Sequence, residues 1–456
     1  MINKQNDKVS ELSGFLYEGK QAEPQFIVLV NKKSNRLSYV CDFVFHQALL
    51  CNYVITDNSS DFKSSKLNKV NYTSFEIEGS FHIQPSGFID RVVVEETPPP
   101  IKSHNNIPYF FPQQSGDMSF DVFSAVFYFI SRYEEWQKFV KDIHGRFEER
   151  NSILYKLSAL KKPVVDIWLE EFKTALRNKF SKVIFSKREF KFISTIDVDN
   201  LYAFKGKPFF RNAGGAIKDL MRLNTSMFMA RLASVLFGKK DPFDKYEEQI
   251  KLANETGTPL IYFFLYKNNT EFDRTIRPGH PLFLQLFDKL KLEKISFGIH
   301  PSYFSSDTND GIKTETDLLS EHSKQNTILS RQHYLRFNIK TTPQYLEAAG
   351  IQFDFTMGFA SASGFRAGTT LPFYYYNFER EEVLKVMAVP FALMDGAYYI
   401  YANAKIEEAK QEIELLIEET KKVNGLFVTV FHERSFAEQL YPGWRRLYSQ
   451  IHHLIK

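Results

Sequence analysis

From residue 190 onward the chain alternates between short apolar runs and longer stretches with apolar residues at helical spacing. The first run, Phe190-Lys191-Phe192-Ile193-Ser194-Thr195-Ile196-Asp197-Val198-Asp199-Asn200, is rich in β-branched and aromatic residues and stops at two carboxylates. Six more lie at 259–265, 294–300, 332–337, 351–357, 388–395 and 426–432. Helical patterns separate them at 244–254, 280–292, 317–329, 343–349, 379–386 and 406–423, and a last one spans 436–455. Strands alternating with helices of this length read as βα units around a parallel sheet. Seven such units predict an α/β fold, with a barrel over 186–456. In a βα barrel the chemistry sits at the C-terminal ends of the strands. Asp197, Asp199, His300, Arg331, His333, Asp354, Asp395 and His432 all fall at or near an end of a run.

Residues 1–185 read as a separate, smaller α/β unit of unassigned role. The apolar block 39–55 fits a strand or a buried helix, 75–83 and 88–94 alternate like strands, and 96–101 with three prolines is a connector. Helices are predicted over 121–139, with Phe123, Val126, Phe127 and Ile130 on one face, and over 163–180. His82, His104 and His144 have no partner at metal spacing and read as solvated or capping residues. The connection 201–243 is unusually long and carries Gly214-Gly215, Met221, Met227 and Met229, and the cationic pair Lys239-Lys240. Its helical segment 217–236 has three readings: a lid over the mouth, a basic amphipathic helix in contact with a membrane surface through 217–240, or packing against the N-terminal unit, which is favoured.

Composition changes this picture only at the margins. A chain of 456 residues favours two domains, and 43% hydrophobic residues supply a large core. The 45 phenylalanines and 23 tyrosines favour aromatic packing over sugar-stacking surfaces as their main use. A net charge of +4 is near neutral, and no basic stripe with interleaved aromatics marks a nucleic-acid partner. Residues 1–25 are polar without an apolar signal core, no run reaches membrane-span length, and Cys41 and Cys51 alone exclude a disulfide framework or a cysteine zinc site. The expectation is a soluble, cytoplasmic protein.

Successive side chains on a strand alternate faces, so Asp197 and Asp199 leave their strand on one side, close enough to share a cation or a water. A lone Asp-x-Asp more often caps a helix. The histidines change the balance, because carboxylate and imidazole together suit Zn²⁺, or Co²⁺ or Ni²⁺, with an open position for chemistry. One aspartate then binds metal and the other takes a proton from attacking water. His300, followed by Pro301, ends its strand at the mouth; a satisfied buried histidine is the alternative. Arg331 could grip a carboxylate or pair with any core acid, and His333 could complete a metal shell. His432 ends an apolar run and could act as general acid. Asp354 and Asp395 could orient a histidine or arginine, or serve turns. Residues 364–369, with Arg366, fit a substrate-contacting loop or a surface turn.

These residues resemble the polysaccharide deacetylase family, the NodB-homology or carbohydrate esterase family 4 fold, over roughly 190–456. Thr195-Ile196-Asp197-Val198-Asp199 is similar to its first motif, Gly298-Ile299-His300-Pro301 to its second, Arg331-Gln332-His333-Tyr334 to its third and Phe431-His432 to its last. Ile130-Ser131-Arg132-Tyr133-Glu134-Glu135 together with Gly298-Ile299-His300-Pro301-Ser302-Tyr303 resembles a bacterial subgroup with its own N-terminal domain. The resemblance implies a distorted (β/α)7 barrel with Asp197 as base, Arg331 positioning it, His432 as acid, and Asp199 and His300 on a divalent metal. It implies an acetylated carbohydrate as partner; Tyr303, Asp354, Arg366 and Asp395 are the residues expected on the substrate side. Val198 separates aspartates that are adjacent in the family, and Phe304 stands where the family brings a second metal histidine. His333, where the family has proline, is the expected replacement. A degenerate barrel that binds carbohydrate or a protein without catalysis is the competing expectation, and hydrolysis of a non-sugar amide a third.

Overall fold

The computed structural model describes residues 23–268 and 270–455; the first 22 residues of the polar N-terminal stretch lie outside the described residues. The N-terminal region holds a parallel sheet in the order β2-β1-β3-β4, built from β1 (Phe26–Val30), β2 (Tyr53–Thr56), β3 (Asn68–Tyr72) and β4 (Phe81–His82). β1 is apolar throughout and buried throughout, as a strand covered on both faces requires. The block 39–55 divides into a helical segment, Asn35–Cys41 continuing through Asp42–Ala48, and then β2. Of the alternating stretches 75–83 and 88–94 only β4 forms. Val92 and Val93 are 88% and 70% exposed, so alternation there found no partner strand. A two-stranded hairpin, β5 (Ile101–His104) and β6 (Ile107–Phe110), precedes α1 (Val122–Ile130), which Asp121 caps by accepting from the Ser124 N–H. Every residue of α1 is buried. A helix apolar on all sides must be enclosed, and α1 is covered by α2 (Val164–Lys179) and by aromatic residues of the C-terminal region, Phe127 meeting Tyr376 and Phe378 edge-on.

The C-terminal region is one nine-stranded sheet in the order β12-β13-β11-β10-β9-β8-β7-β15-β14. Its strands are β7 (Lys191–Val198), β8 (Leu260–Leu265), β9 (Ser296–His300), β10 (Leu329–Ser330), β11 (Phe353–Asp354), β12 (Phe373–Asn377), β13 (Glu382–Ala388), β14 (Leu393–Met394) and β15 (Leu426–His432). All pairings are parallel except β12 with β13. The connections carry α3 (Phe209–Met221), α4 (Thr225–Leu236), α5 (Tyr246–Thr256), α6 (Pro281–Leu292), α7 (Gly311–Ser323), α8 (Thr342–Ala348), α9 (Ile406–Lys422) and α10 (Trp444–Ile455). Among the described residues no strand pairing joins β12 to β14, so the sheet has two ends. It is nevertheless curled, since Ile193, Phe263, Phe355, Met387, Met394 and Val428, from strands along its whole width, share one apolar cluster.

Three sequence expectations change. Residues 379–386 form strand rather than helix, because Leu384 and Val386 are buried while Val383 and Lys385 are exposed, a period of two. The run 332–337 is not strand: β10 ends at Ser330 and His333–Leu335 is a tight turn with Tyr334 at φ 57°. The segment 217–236 is two helices, and it continues a first one begun at Phe209. A single apolar core passes from Phe26 through Phe127 and Trp168 to Leu371, Ile413 and Ile451, so the N-terminal region and the nine-stranded sheet pack as neighbours.

Candidate metal centre

β7 and β15 lie side by side in parallel, with Asp197 opposite His432. β9 brings His300 to the same end of the sheet, and the chain leaving β10 turns Arg331 and His333 toward it. All of these side chains, and that of Asp199 just beyond β7, are buried. The left-handed Tyr334 is a non-glycine in a sparsely populated backbone region, which is how the turn after β10 aims His333 inward.

His300 Nδ1 lies 2.6 Å from the Arg331 carbonyl oxygen, which assigns the proton to Nδ1 and leaves Nε2 with its lone pair. That Nε2 is 3.5 Å from Asp199 Oδ1 and 3.9 Å from Asp197 Oδ2. His333 Nδ1 lies 3.0 Å from Asp273 Oδ1, and its Nε2 is 3.5 Å from the same Asp199 Oδ1. A carboxylate or carbonyl behind each imidazole is the support that metal-bound histidines use. Asp199 Oδ1 is buried without a hydrogen-bond partner, while Oδ2 accepts from Arg434 Nη2 at 2.7 Å. One ligand atom from each of Asp199, His300 and His333 lies within 4.8 Å of the others. A buried carboxylate oxygen facing two imidazole nitrogens needs a cation, or a proton on one of the rings, between them. This buried Asp–His–His cluster could bind a metal. Burial pushes Asp199 up, but Arg434 and His333 outweigh it and hold the carboxyl well below its ordinary range. Burial lowers His333, which favours the neutral, ligating form. Phe304 stands apart from the cluster, half exposed against Phe272.

Two supporting pairs flank the cluster. Arg331 donates from Nη1 to Asp197 Oδ1 at 2.7 Å and from Nε to the Phe355 carbonyl at 2.9 Å, with its guanidinium 4.6 Å from the centre of the Phe263 ring. His432 Nδ1 lies 2.6 Å from Asp395 Oδ1, whose other oxygen takes the His432 N–H at 2.7 Å and the Ser435 hydroxyl. Burial pulls the His432 imidazole down, but the Asp395 carboxylate outweighs it and raises the group to about 9. His432 is therefore an imidazolium at neutral pH, held by Nδ1. A cavity of about 140 Å³ opens onto Asp197, Asp199, His300, His333 and His432 and is bordered by Arg146, Tyr334, Ile400, Tyr401 and Arg434.

The four residues expected on the substrate side are more scattered. Asp395 supports His432. Asp354 lies behind the cavity, accepting from Thr356 Oγ1 at 2.5 Å and Tyr375 Oη at 2.7 Å, and burial raises it to about 6. Tyr303 is stacked at 3.9 Å on Phe272 and its hydroxyl is 2.9 Å from His144 Nδ1. Arg366 does not border the cavity: it is 2% exposed and holds Glu135 through Nε at 2.9 Å and Nη2 at 2.7 Å. Its partner sits in the Ser131-Arg132-Tyr133-Glu134-Glu135 stretch, where Arg132 also bridges Glu134 and Glu135. That stretch therefore ties the N-terminal region to the sheet. Sequence reading did not find Asp273, in a loop with no run or spacing to mark it, nor Arg434 and Glu433. These last two could have been found by reading on past His432. Glu433 accepts from the Asp199 and Asn200 N–H groups, and burial with the nearby Asp199 charge raises it to about 7.

A model of a family of unknown function, DUF7033, matches residues 26–181. No curated protein matches the chain. Among solved structures, a provisionally named polysaccharide deacetylase from Mycobacterium smegmatis is similar at 12% identity and TM-score 0.39, covering 59% of this chain and 85% of that one. The CE4 domain of a multidomain xylanase from the hindgut metagenome of Trinervitermes trinervoides is similar at 9% identity and TM-score 0.26, over 57% and 84%. The α-amylase AmyC from Thermotoga maritima is similar at 10% identity and TM-score 0.29, over 59% and 71%. Overlays this loose carry no inference about the present chain.

Proposed function

We propose that this chain is a metal-dependent hydrolase of the polysaccharide deacetylase type, which removes acetyl groups from an N- or O-acetylated sugar or glycan precursor. On this reading residues 186–456 are a distorted (β/α)7 barrel opened at one seam, and residues 1–185 an additional α/β domain. The observation that carries it is the unpartnered Asp199 Oδ1 facing His300 Nε2 and His333 Nε2, between an Asp–Arg pair and a His–Asp pair. Asp199, His300 and His333 would hold a divalent cation, Zn²⁺ first among the choices for this donor set. Such an ion supplies Lewis-acid polarisation of an acyl carbonyl. Asp197 takes the proton of the attacking water, and Arg331 fixes the carboxylate that receives it. His432 delivers a proton from Nε2 to the departing amine or alcohol, while Asp395 keeps Nδ1 engaged and the ring charged.

Elemental analysis of protein purified without chelator, on the wild type and on His333→Ala, tests the reading. Near-stoichiometric divalent metal that drops in the variant, with acetate released from acetylated sugars, supports it. Protein that stays empty after incubation with zinc, cobalt or nickel leaves a barrel that binds carbohydrate or a protein partner without catalysis.

A further inference from the structure

The connection between β7 and β8 folds inside out. In a surface helix the apolar face packs down and the charged face meets water. In α3 and α4 a polar cluster points inward: Arg231 of α4 donates from Nε to Asp219 at 2.9 Å and from Nη1 to Asn212 Oδ1 at 3.2 Å, and its guanidinium lies 4.4 Å from the centre of the Phe204 ring. Asn212 is buried and donates to the Phe204 carbonyl. The helices cross so closely at Gly215 that a Cβ there would lie 2.6 Å from that guanidinium. Met227 is buried at the root of the hairpin, but most of the large apolar residues point outward. Phe209, Phe210, Ile217, Met221, Leu223 and Phe237 are 61–86% exposed, the densest group of exposed large apolar side chains among the described residues. A patch of this kind on a soluble surface marks a contact.

Charge identifies the contact. Residues 205–240 carry eight lysines and arginines against a single acid, Asp219, and that acid is held by Arg231. Arg211, Lys218, Arg222 and Lys239 have no ion-pair partner among the described residues. Apolar side chains flanked by unpaired cations on short amphipathic helices fit the interface of an anionic bilayer, where rings enter the headgroup boundary and cations meet phosphates. The hairpin is too short and too charged to span; among the described residues no helix is long and apolar enough to cross a membrane. We propose that the α3–α4 hairpin docks this protein on an anionic phospholipid surface. The root of the hairpin packs on Ala437, five residues after His432, so the hairpin is anchored near the C-terminal end of β15.

Flotation of the full-length protein with phosphatidylcholine vesicles, with and without phosphatidylglycerol, tests this. The wild type is expected to float with the anionic vesicles and to be released by salt, because exposed cation–phosphate attraction is screened. Phe209→Ser/Phe210→Ser and Arg222→Glu/Lys239→Glu are each expected to weaken binding by at least about tenfold. These side chains are exposed, so both variants should keep the wild-type circular dichroism and melting temperature. Wild type that stays unbound, or variants that bind equally well, overturn the proposal. Concentration-dependent dimers abolished by Phe209→Ser/Phe210→Ser, without vesicle binding, assign the face to a second copy of the chain instead.

Discussion

Single side chains set the chemistry here through the groups placed behind them. His432 is charged at neutral pH only because Asp395 sits 2.6 Å from its Nδ1, since burial alone would pull the imidazole down. If His432 is the acid, the rate should fall on the alkaline side as the ring loses its proton near pH 9. Asp395→Asn removes the opposing charge, so that alkaline limb is expected to move down by at least about one pH unit with at least about a tenfold loss of kcat, read from pH–rate profiles. A profile whose alkaline limb does not move would separate Asp395 from the acid. A second residue-scale prediction concerns Glu135. It is 2% exposed between Arg132 and Arg366. Removing a carboxylate from between two buried guanidiniums leaves uncompensated charge, so Glu135→Ala should lower stability by about 3–5 kcal/mol in denaturant unfolding, with Arg366→Ala alone costing a comparable amount.

At the scale of elements, the ends of strands were legible and their middles were not needed. Residues 191–198, 260–265, 296–300 and 426–432 carry dense β-branched and aromatic runs that no helix period fits, and they form as strands. The positions of His300, Asp197 and His432 were legible for the same reason: a polar residue at the end of such a run is delivered to that end of the sheet, where these three border one cavity. The strand 382–388 was misread because the turn residues before it were taken into a helix; its hairpin partner β12 is close by, Asn377 opposite Glu382, while its other neighbour β11 is about thirty residues back. Arg366 was misread because its partner Glu135 is 231 residues away. Helix α10 gives a prediction at this scale. Its His452 is 1% exposed against Phe192 of β7, with Nδ1 3.3 Å from Thr256 Oγ1. Burial, aided by neighbouring His453, lowers it from 6.5 to about 4. The folded value lies below the unfolded one, so the contribution is complete above about pH 6.5 and erodes as pH falls toward 4. The loss should reach about 3 kcal/mol. In His452→Leu the melting temperature should depend less on pH across that window.

For the whole molecule, the metal reading and the membrane reading rest on different residues and fail separately. The membrane reading rests on α3 and α4 whether or not a metal is present, whereas the metal reading rests on Asp199 just beyond β7, His300 of β9 and His333 in the turn after β10. Those three residues are far apart in sequence and meet only in the folded sheet. A cation that joins them binds the native state and not the unfolded chain, so it must stabilise the whole fold by mass action. At a hundredfold excess of free metal over the dissociation constant the gain is about 2.7 kcal/mol, a rise of several degrees in melting temperature for an ordinary domain and less for a chain of this size. Zn²⁺, Co²⁺ or Ni²⁺ added to chelator-treated protein should therefore raise the melting temperature. Asp199→Asn should abolish that rise, because it removes the charge of the oxygen that faces both imidazoles while keeping the side chain's shape. The variant without metal should be less stable than chelator-treated wild type, because the Arg434 guanidinium loses the carboxylate that it holds at 2.7 Å and the folded chain favours that carboxyl in its charged form. A melting temperature that rises equally in wild type and Asp199→Asn would place the metal elsewhere. One that does not move in either would leave Asp199, His300 and His333 as a buried polar cluster that binds no cation.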